Sequence, residues 1–165
     1  MIGVALGVIA FAAMEAVSAI AHRWVMHGRR GLAWHASHHR PPAGRFELND
    51  LFPALFSVVG FGLFLVAMRW PAVRPIAIGI TAYGMAYLAV HEIFIHRRID
   101  VPLPNWRYFD WLRRSHALHH RFGGEPFGML LPLVPRRLRT LEGRAPAQGT
   151  HVASGSTPSH VPVEP

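Results

Sequence analysis

The sequence predicts an all-α integral membrane helical bundle of about three transmembrane spans, with room for a fourth, short re-entrant element and a histidine-rich cap on the cytoplasmic side. Three observations carry this. The apolar residues lie in long blocks, proline and glycine punctuate the ends of those blocks, and nearly all arginines and histidines fall between or after them. A chain of 165 residues that is 51% hydrophobic and only 16% charged has the size of one domain but not the surface of a soluble one.

The first block, residues 2–21, is twenty residues long with a single acid, Glu15. At about 1.5 Å per residue it crosses a hydrocarbon core of about 30 Å. A cleaved signal peptide is the competing reading, since Ala19 and Ala21 form a small-x-small site. The block lacks a basic leader and is long for such a segment, so a retained span is expected. An acid inside a span more often faces protein than lipid and has a function, which marks Glu15.

Residues 51–70 form the second span, which Pro71 ends, and residues 75–95 form the third, with Pro75 suited to a first helical turn. Five arginines lie in residues 22–50 and ten in residues 96–165, against two in the turn at 69–74. Three crossings place both arginine-rich stretches on one side, and the positive-inside rule makes that side the cytoplasm of an inner membrane. Residues 99–114 mix Pro, Arg and aromatics in the manner of a chain lying at the interface. The apolar stretch 127–134 is too short to span and reads as a re-entrant or interfacial element, or as a cover over a site. Residues 1–141 are expected to form the membrane domain, and 142–165, rich in Gly, Pro, Ala, Ser and Thr, a disordered tail that contains His151 and His160.

Composition removes several function classes. There is no Cys, so disulfides, thiolate metal sites and cysteine nucleophiles are excluded. The formal charge of +8 is explained by positive-inside topology and anionic lipid better than by nucleic acid. Twelve histidines remain, and ten of them fall in four clusters: His22 and His27; His35, His38 and His39; His91 and His96; His116, His119 and His120. An H-x4-H pair at the end of a span followed by an H-x2-H-H triplet occurs twice. On a helix, positions i, i+3 and i+4 share a face, so each triplet is expected to present three rings to a common point. The pairs sit about 140° apart at regular helical spacing. Either the helix ends between their members, as Gly28 after His27 permits, or the members address different ions.

One histidine is usually a surface or satisfied core residue, but ten in a twofold pattern beside a membrane have no packing rationale, and metal binding is the expectation. Imidazole suits zinc, copper, nickel and iron alike. Two six-coordinate ions offer roughly twelve positions, so ten histidines leave room for dioxygen, water or a bridging oxygen. Iron fits oxygen chemistry at an oily interface. Glu92, Asp50 and Asn49 are the neighbouring groups suited to orient ligand rings. No catalytic residue beyond the metal ligands is expected. Nor is a flavin or haem, because the sequence has no dinucleotide-binding glycine pattern and no haem motif.

Met14 and Glu15, the runs 22–28 and 34–39, Asn49 and Asp50, Tyr83 and Gly84, and the runs 91–96 and 113–120 together resemble the bacterial non-haem β-carotene 3-hydroxylases, within the membrane fatty acid hydroxylase and sterol desaturase group. The resemblance covers most of residues 14–135. It implies a di-iron centre held by His22, His27, His35, His38, His39, His91, His96, His116, His119 and His120. It also implies O2-dependent hydroxylation at C3 of β-ionone rings, taking β-carotene to β-cryptoxanthin and then zeaxanthin. The chain departs from the family at Glu92, where Asp is usual, and beyond His120, where only the run 123–128 keeps the pattern.

Such an enzyme needs electrons from another protein, with a reduced ferredoxin the natural donor. Arg97, Arg98, Arg113 and Arg114 form a candidate basic docking face, or simply reflect positive-inside topology. Two other readings stand beside this one: a hydroxylase or desaturase of fatty acyl or sterol lipids, and a membrane metal-binding protein. The last predicts polar residues lining the spans, where Glu15 stands almost alone. Three spans make a thin scaffold, so an oligomer fits.

Overall fold

The computed structural model describes residues 1–40, 44, 46–99, 101–102 and 106–142. All regular structure among them is helical. Helix α1 runs Ile2–Ile20 and continues into a π-helical turn, Ala21–Met26. A one-turn helix α2, Leu32–His35, follows. Helix α3, Leu51–Arg69, is preceded by a 3₁₀ turn at Leu48–Asp50, and α4, Arg74–Leu88, continues into a second π-helical turn, Ala89–Ile95. Helix α5 is Arg107–Phe122 and the short α6 is Arg136–Glu142. The expected tail, with His151 and His160, lies outside the described residues apart from Glu142 at the end of α6.

Three helical stretches are long and apolar enough to cross a membrane: Ile2–Met26, Leu48–Arg69 and Pro71–Ile95. Pro71 and Pro75 act as their sequence positions dictate. The first opens the 3₁₀ turn Pro71–Val73 after α3, and the second sits in the first turn of α4, where a missing N–H costs nothing. Most side chains on these helices are exposed, as a lipid-facing surface requires, and Met14 is the sole buried residue of α1.

Helices α1 and α4 pack closest, because Gly79 brings the two backbones together. A Cβ at Gly79 would stand 2.2 Å from the Gly7 carbonyl oxygen. Between spans, where no water competes, such small-residue contacts and van der Waals packing drive association. Glu15 of α1 faces the protein, as expected. It accepts a hydrogen bond from the Tyr83 hydroxyl of α4 at 2.8 Å and others from the backbone of residues 129–131.

The apolar clusters lie where the end of the third span meets α5 and the residues after it. Val90 and Ile95 meet Leu112 of α5 and Met129, and Ala117 and Leu118 meet Val134. The interfacial stretch of the sequence reading resolves into α5 from Arg107 onward. Its buried face carries Leu112, Ser115, His116, Leu118 and His119. Helix α5 ends at Gly123, whose φ of 65° is a left-handed conformation that glycine adopts without strain.

Replacing Gly79 with Val is expected to lower the stability of the detergent-solubilised protein by about 1–3 kcal/mol, the cost of overpacking a close helix contact. Gly62→Ala, where an added Cβ meets nothing within 4 Å, is the control and should change thermal unfolding far less.

Candidate metal centre

Both H-x4-H pairs straddle the π-helical turns. The His27 N–H bonds the His22 carbonyl at 3.0 Å, and the His96 N–H bonds the His91 carbonyl at 3.0 Å, each an i to i+5 closure. A π turn takes more than four residues where an α turn takes fewer, so residues five apart come much closer to one face. The 140° separation expected from regular α geometry is therefore narrowed, and both members of each pair face the same cluster.

The triplets do the opposite. Nitrogens of His22, His27, His35 and His119 lie within 4.8 Å of one another, and so do those of His38, His96, His116 and His120. His39 joins the first group through Nε2, 3.1 Å from that of His35, and His91 joins the second, 3.0 Å from His38 Nε2. The expectation that each triplet converges on one point is overturned. His35 and His39 turn to the first group and His38 to the second, while His119 turns to the first and His116 and His120 to the second. Strict i, i+4 pairs stay together and the i+3 partner crosses over. In the first triplet α2 ends at His35 and the chain continues in tighter turns, with the His38 N–H on the His35 carbonyl. The two groups adjoin where the rings of His39 and His120 stack at 4.4 Å.

Hydrogen bonds at the far nitrogen of five of the ten rings decide what these contacts are. His22 Nδ1 meets the Phe127 carbonyl at 3.1 Å, His35 Nδ1 meets Asn49 Oδ1 at 2.8 Å, and His119 Nδ1 meets the Gly124 carbonyl at 2.6 Å. In the second group His38 Nδ1 meets Glu47 at 3.1 Å and His91 Nδ1 meets Glu92 at 2.6 Å. Those oxygens only accept, so each Nδ1 must carry the proton and each Nε2 of the neutral ring presents a lone pair. Yet His22 Nε2 lies 3.1 Å from His35 Nε2, and His38 Nε2 lies 3.0 Å from His91 Nε2. Facing lone pairs repel and cannot hydrogen bond.

A shared cation would resolve this, since two nitrogens about 2.1 Å from one ion and at right angles to each other sit about 3.0 Å apart. His120 Nε2 is buried with no hydrogen-bond partner among the described residues, another donor atom waiting for a ligand. The donor set is all imidazole nitrogen, which suits iron, zinc, copper or nickel.

Six rings outside the spans are held neutral. Burial, opposed by the Asn49 hydrogen bond and helped by His39 and His27, lowers His35 to about 4. Burial, with His39 and His27 adding to it against the Gly124 hydrogen bond, lowers His119 to about 3, and burial with His39 and His119 lowers His120 to about 2. His38, His96 and His116 are depressed by burial first and then by neighbouring rings of the second group. Neutral imidazole is the metal-binding form.

Of the polar neighbours singled out from sequence, Asn49 and Glu92 touch rings directly. Asp50 does not: its carboxylate takes two hydrogen bonds from Arg98, at 2.6 and 2.9 Å, and the Glu47 N–H at 3.0 Å. Arg98 also bonds Glu92 at 2.8 Å, so Asp50 supports the second group through the arginine. Glu47 was not singled out. It caps the 3₁₀ turn before α3 reciprocally with Asp50 while bonding His38, and burial raises its carboxyl above the usual range against the pull of Arg98. An acid three residues before Asp50 at the start of an apolar run is the capping signal that pointed to it. Phe127 also lies over the first group, its ring 5.4–5.5 Å from those of His22, His27 and His119, which realises the covering role read from the stretch 127–134. Within the expected basic face, Arg98 is engaged as described, Arg113 is paired with Asp110, and Arg97 reaches the Val101 carbonyl at 3.4 Å.

A cavity of about 350 Å³ opens between α1, α3 and α4. Phe52, Phe56, Phe61, Phe64 and Met85 make most of its wall apolar, and at the cap end it meets Asn49, His91 and Glu92.

Two outcomes follow from this arrangement. Glu47→Ala removes the acceptor that fixes His38, and metal affinity measured by competition with a chelator should fall about 10–100-fold. The metal-free protein should also lose stability in acid. His35, His119 and His120 are depressed from an ordinary 6.5, so between the folded and unfolded values the unfolded chain binds more protons. Their contribution is complete above about pH 6.5 and is lost as pH falls towards about 4 for His35 and lower for the other two. Thermal unfolding of metal-free protein across that range checks the sign.

Comparison with known proteins agrees with this chemistry. The fatty acid hydroxylase family model matches residues 7–140. The "Beta-carotene hydroxylase" of Pseudescherichia vulneris is 39% identical over 145 residues, covering 81% of each chain. That of Paracoccus sp. (strain PC1) is 40% identical over 113 residues, covering 67% of this chain and 70% of its own. The chloroplastic "Beta-carotene 3-hydroxylase" of Haematococcus lacustris is 38% identical over 143 residues, 80% of this chain but 43% of that longer protein. No solved structure matches. A membrane protein whose histidines gather in two groups at the end of its spans, matched over most of its length by this family's model, belongs to the fatty acid hydroxylase family.

Proposed function

We propose that this chain is a membrane-bound, O2-dependent hydroxylase of the terminal β-ionone ring of a carotenoid, taking β-carotene to β-cryptoxanthin and zeaxanthin. The observation that carries the reading is the apolar cavity, which runs along the spans and ends at His91 and Glu92. A long hydrocarbon lying in the bilayer enters such a cavity end first, which suits attack on a terminal ring. The relatives named for β-carotene hydroxylation support the substrate class.

Ten residues would hold two iron ions: His22, His27, His35, His39 and His119 one of them, and His38, His91, His96, His116 and His120 the other. Iron so held supplies the one-electron and dioxygen chemistry that amino-acid side chains lack. The residues do the rest. Phe52, Phe56, Phe61 and Phe64 bind the hydrocarbon and keep water from the reacting end. Asn49, Glu47 and Glu92 fix the proton of a ring at Nδ1 and so aim its Nε2. Asp50 holds Arg98 across to Glu92. Electrons would come from a separate reduced protein of the ferredoxin type, and the distribution of arginine supports a cytoplasmic cap on an inner membrane.

Expression in a bacterium that accumulates β-carotene, with pigments resolved by chromatography, tests the reading. Cryptoxanthin or zeaxanthin should form with the intact chain and fall below detection with a His38→Ala, His119→Ala double variant, which removes one ring from each group. Unchanged β-carotene from membrane-inserted, iron-loaded protein would reject the carotenoid and favour an acyl or sterol lipid.

A further inference from the structure

The loop after α5 is irregular backbone set beside the first span, and Glu15 is what makes it tenable there. Glu15 stands seven residues before His22, nearly two turns deeper along α1 and on the same face. Its carboxylate accepts the N–H groups of Met129 at 2.9 Å, Leu130 at 3.1 Å and Leu131 at 2.8 Å, together with the Tyr83 hydroxyl at 2.8 Å. Tyr83 is fixed in turn by Ser18 at 2.6 Å. Leu131 and Leu133 are 61% and 81% exposed, so the loop presents side chains to lipid while its amides face the acid. Non-helical backbone at membrane depth persists only where its polar groups are satisfied by protein, and one carboxylate does this for three consecutive N–H groups. The fit is close, since a Cβ at Gly128 would lie 2.7 Å from Glu15 Oε1.

The same loop reaches the first histidine group and not the second. Phe127, two residues before the clamped amides, accepts His22 Nδ1 on its carbonyl and lays its ring against His22, His27 and His119. Gly124 accepts His119 Nδ1. The second group takes its Nδ1 acceptors from Glu47 and Glu92, on other elements.

We propose that Glu15 is a positioning residue for the first histidine group alone: by clamping the amides of residues 129–131 it seats Phe127, and Phe127 sets the proton and the aim of His22. The inference rests on the two-group metal reading above. Glu15 touches no histidine and acts only through the loop.

The full chain, purified in detergent, is titrated with cobalt(II), whose visible absorption reports the ligands of each group separately, and its amide hydrogen exchange is followed by mass spectrometry. Glu15→Gln should raise exchange in residues 127–131 and weaken one cobalt component about tenfold or more, the component that His22→Ala removes. The other component, the one His91→Ala removes, should keep its wild-type affinity. Glu15→Asp, which keeps the charge on a side chain one methylene shorter, should show both effects in smaller measure, and it carries the test if the Gln variant does not fold. Equal weakening of both components, or unchanged exchange in residues 127–131, overturns the proposal. Wild-type protein that takes up no cobalt overturns the metal reading itself, while the exchange measurement still reports whether the clamp exists.

Discussion

An imidazole that has given its one proton to an oxygen cannot hydrogen bond to another that has done the same, and here such rings face each other at 3.0 and 3.1 Å in the protein interior. Ten rings crowded in this way, several fully buried, would be among the least favourable features of a small protein if nothing lay between them. The rest of the architecture serves that constraint. Two spans end in π turns so that paired histidines face inward, α5 packs under the cap to bring up three more, and the chain between α1 and α3 folds back to supply the remainder. The oxygens that fix the Nδ1 protons come from the turn before α3, the end of α4 and the loop after α5. No local segment could assemble the centre alone.

Much of this was legible in the sequence because its signals are local. A block of apolar residues reports a span by length alone, proline reports its end, and the histidine clusters report a candidate metal centre by their number. What was not legible depends on departures from regular geometry. Five residues at α-helical spacing separate His22 from His27, and nothing in the intervening Arg, Trp, Val and Met announces that the helix widens by one residue there. The splitting of each triplet is likewise invisible, since i+3 and i+4 lie on one broad face and only the position of the other elements decides which ring goes where. Glu47 could have been found from its capping position. The carbonyls of Phe127 and Gly124 could not, because every residue has one.

The scaffold is thin in a way that suits its surroundings. Soluble proteins of this size hold their centres in a dry core, whereas here the spans are largely lipid-exposed and the buried residues concentrate at the cap, around the histidines. Lipid takes the place of a second layer of protein. The consequence is a largely apolar cavity between three helices that runs from the spans to His91 of the second group. For an apolar molecule such a route costs little desolvation, and the histidine and carboxylate that line the cavity, His91 and Glu92, stand at its cap end.

The two histidine groups are alike in number and unlike in support, and the difference bears on what each can do. The first group leans on neutral acceptors: two backbone carbonyls and the Asn49 amide. The second leans on two carboxylates, Glu47 and Glu92, with Arg98 holding Glu92 and Asp50 together at its edge. A carboxylate on Nδ1 raises the basicity of a ligand imidazole more than a neutral carbonyl does, because it stabilises the positive charge drawn onto the ring. The second group would therefore be the stronger electron donor to a bound ion, and it is also the one whose His91 lines the cavity. Carboxylate support and contact with the cavity coincide on the same set of rings, while the first group lies under Phe127 and none of its rings lines the cavity.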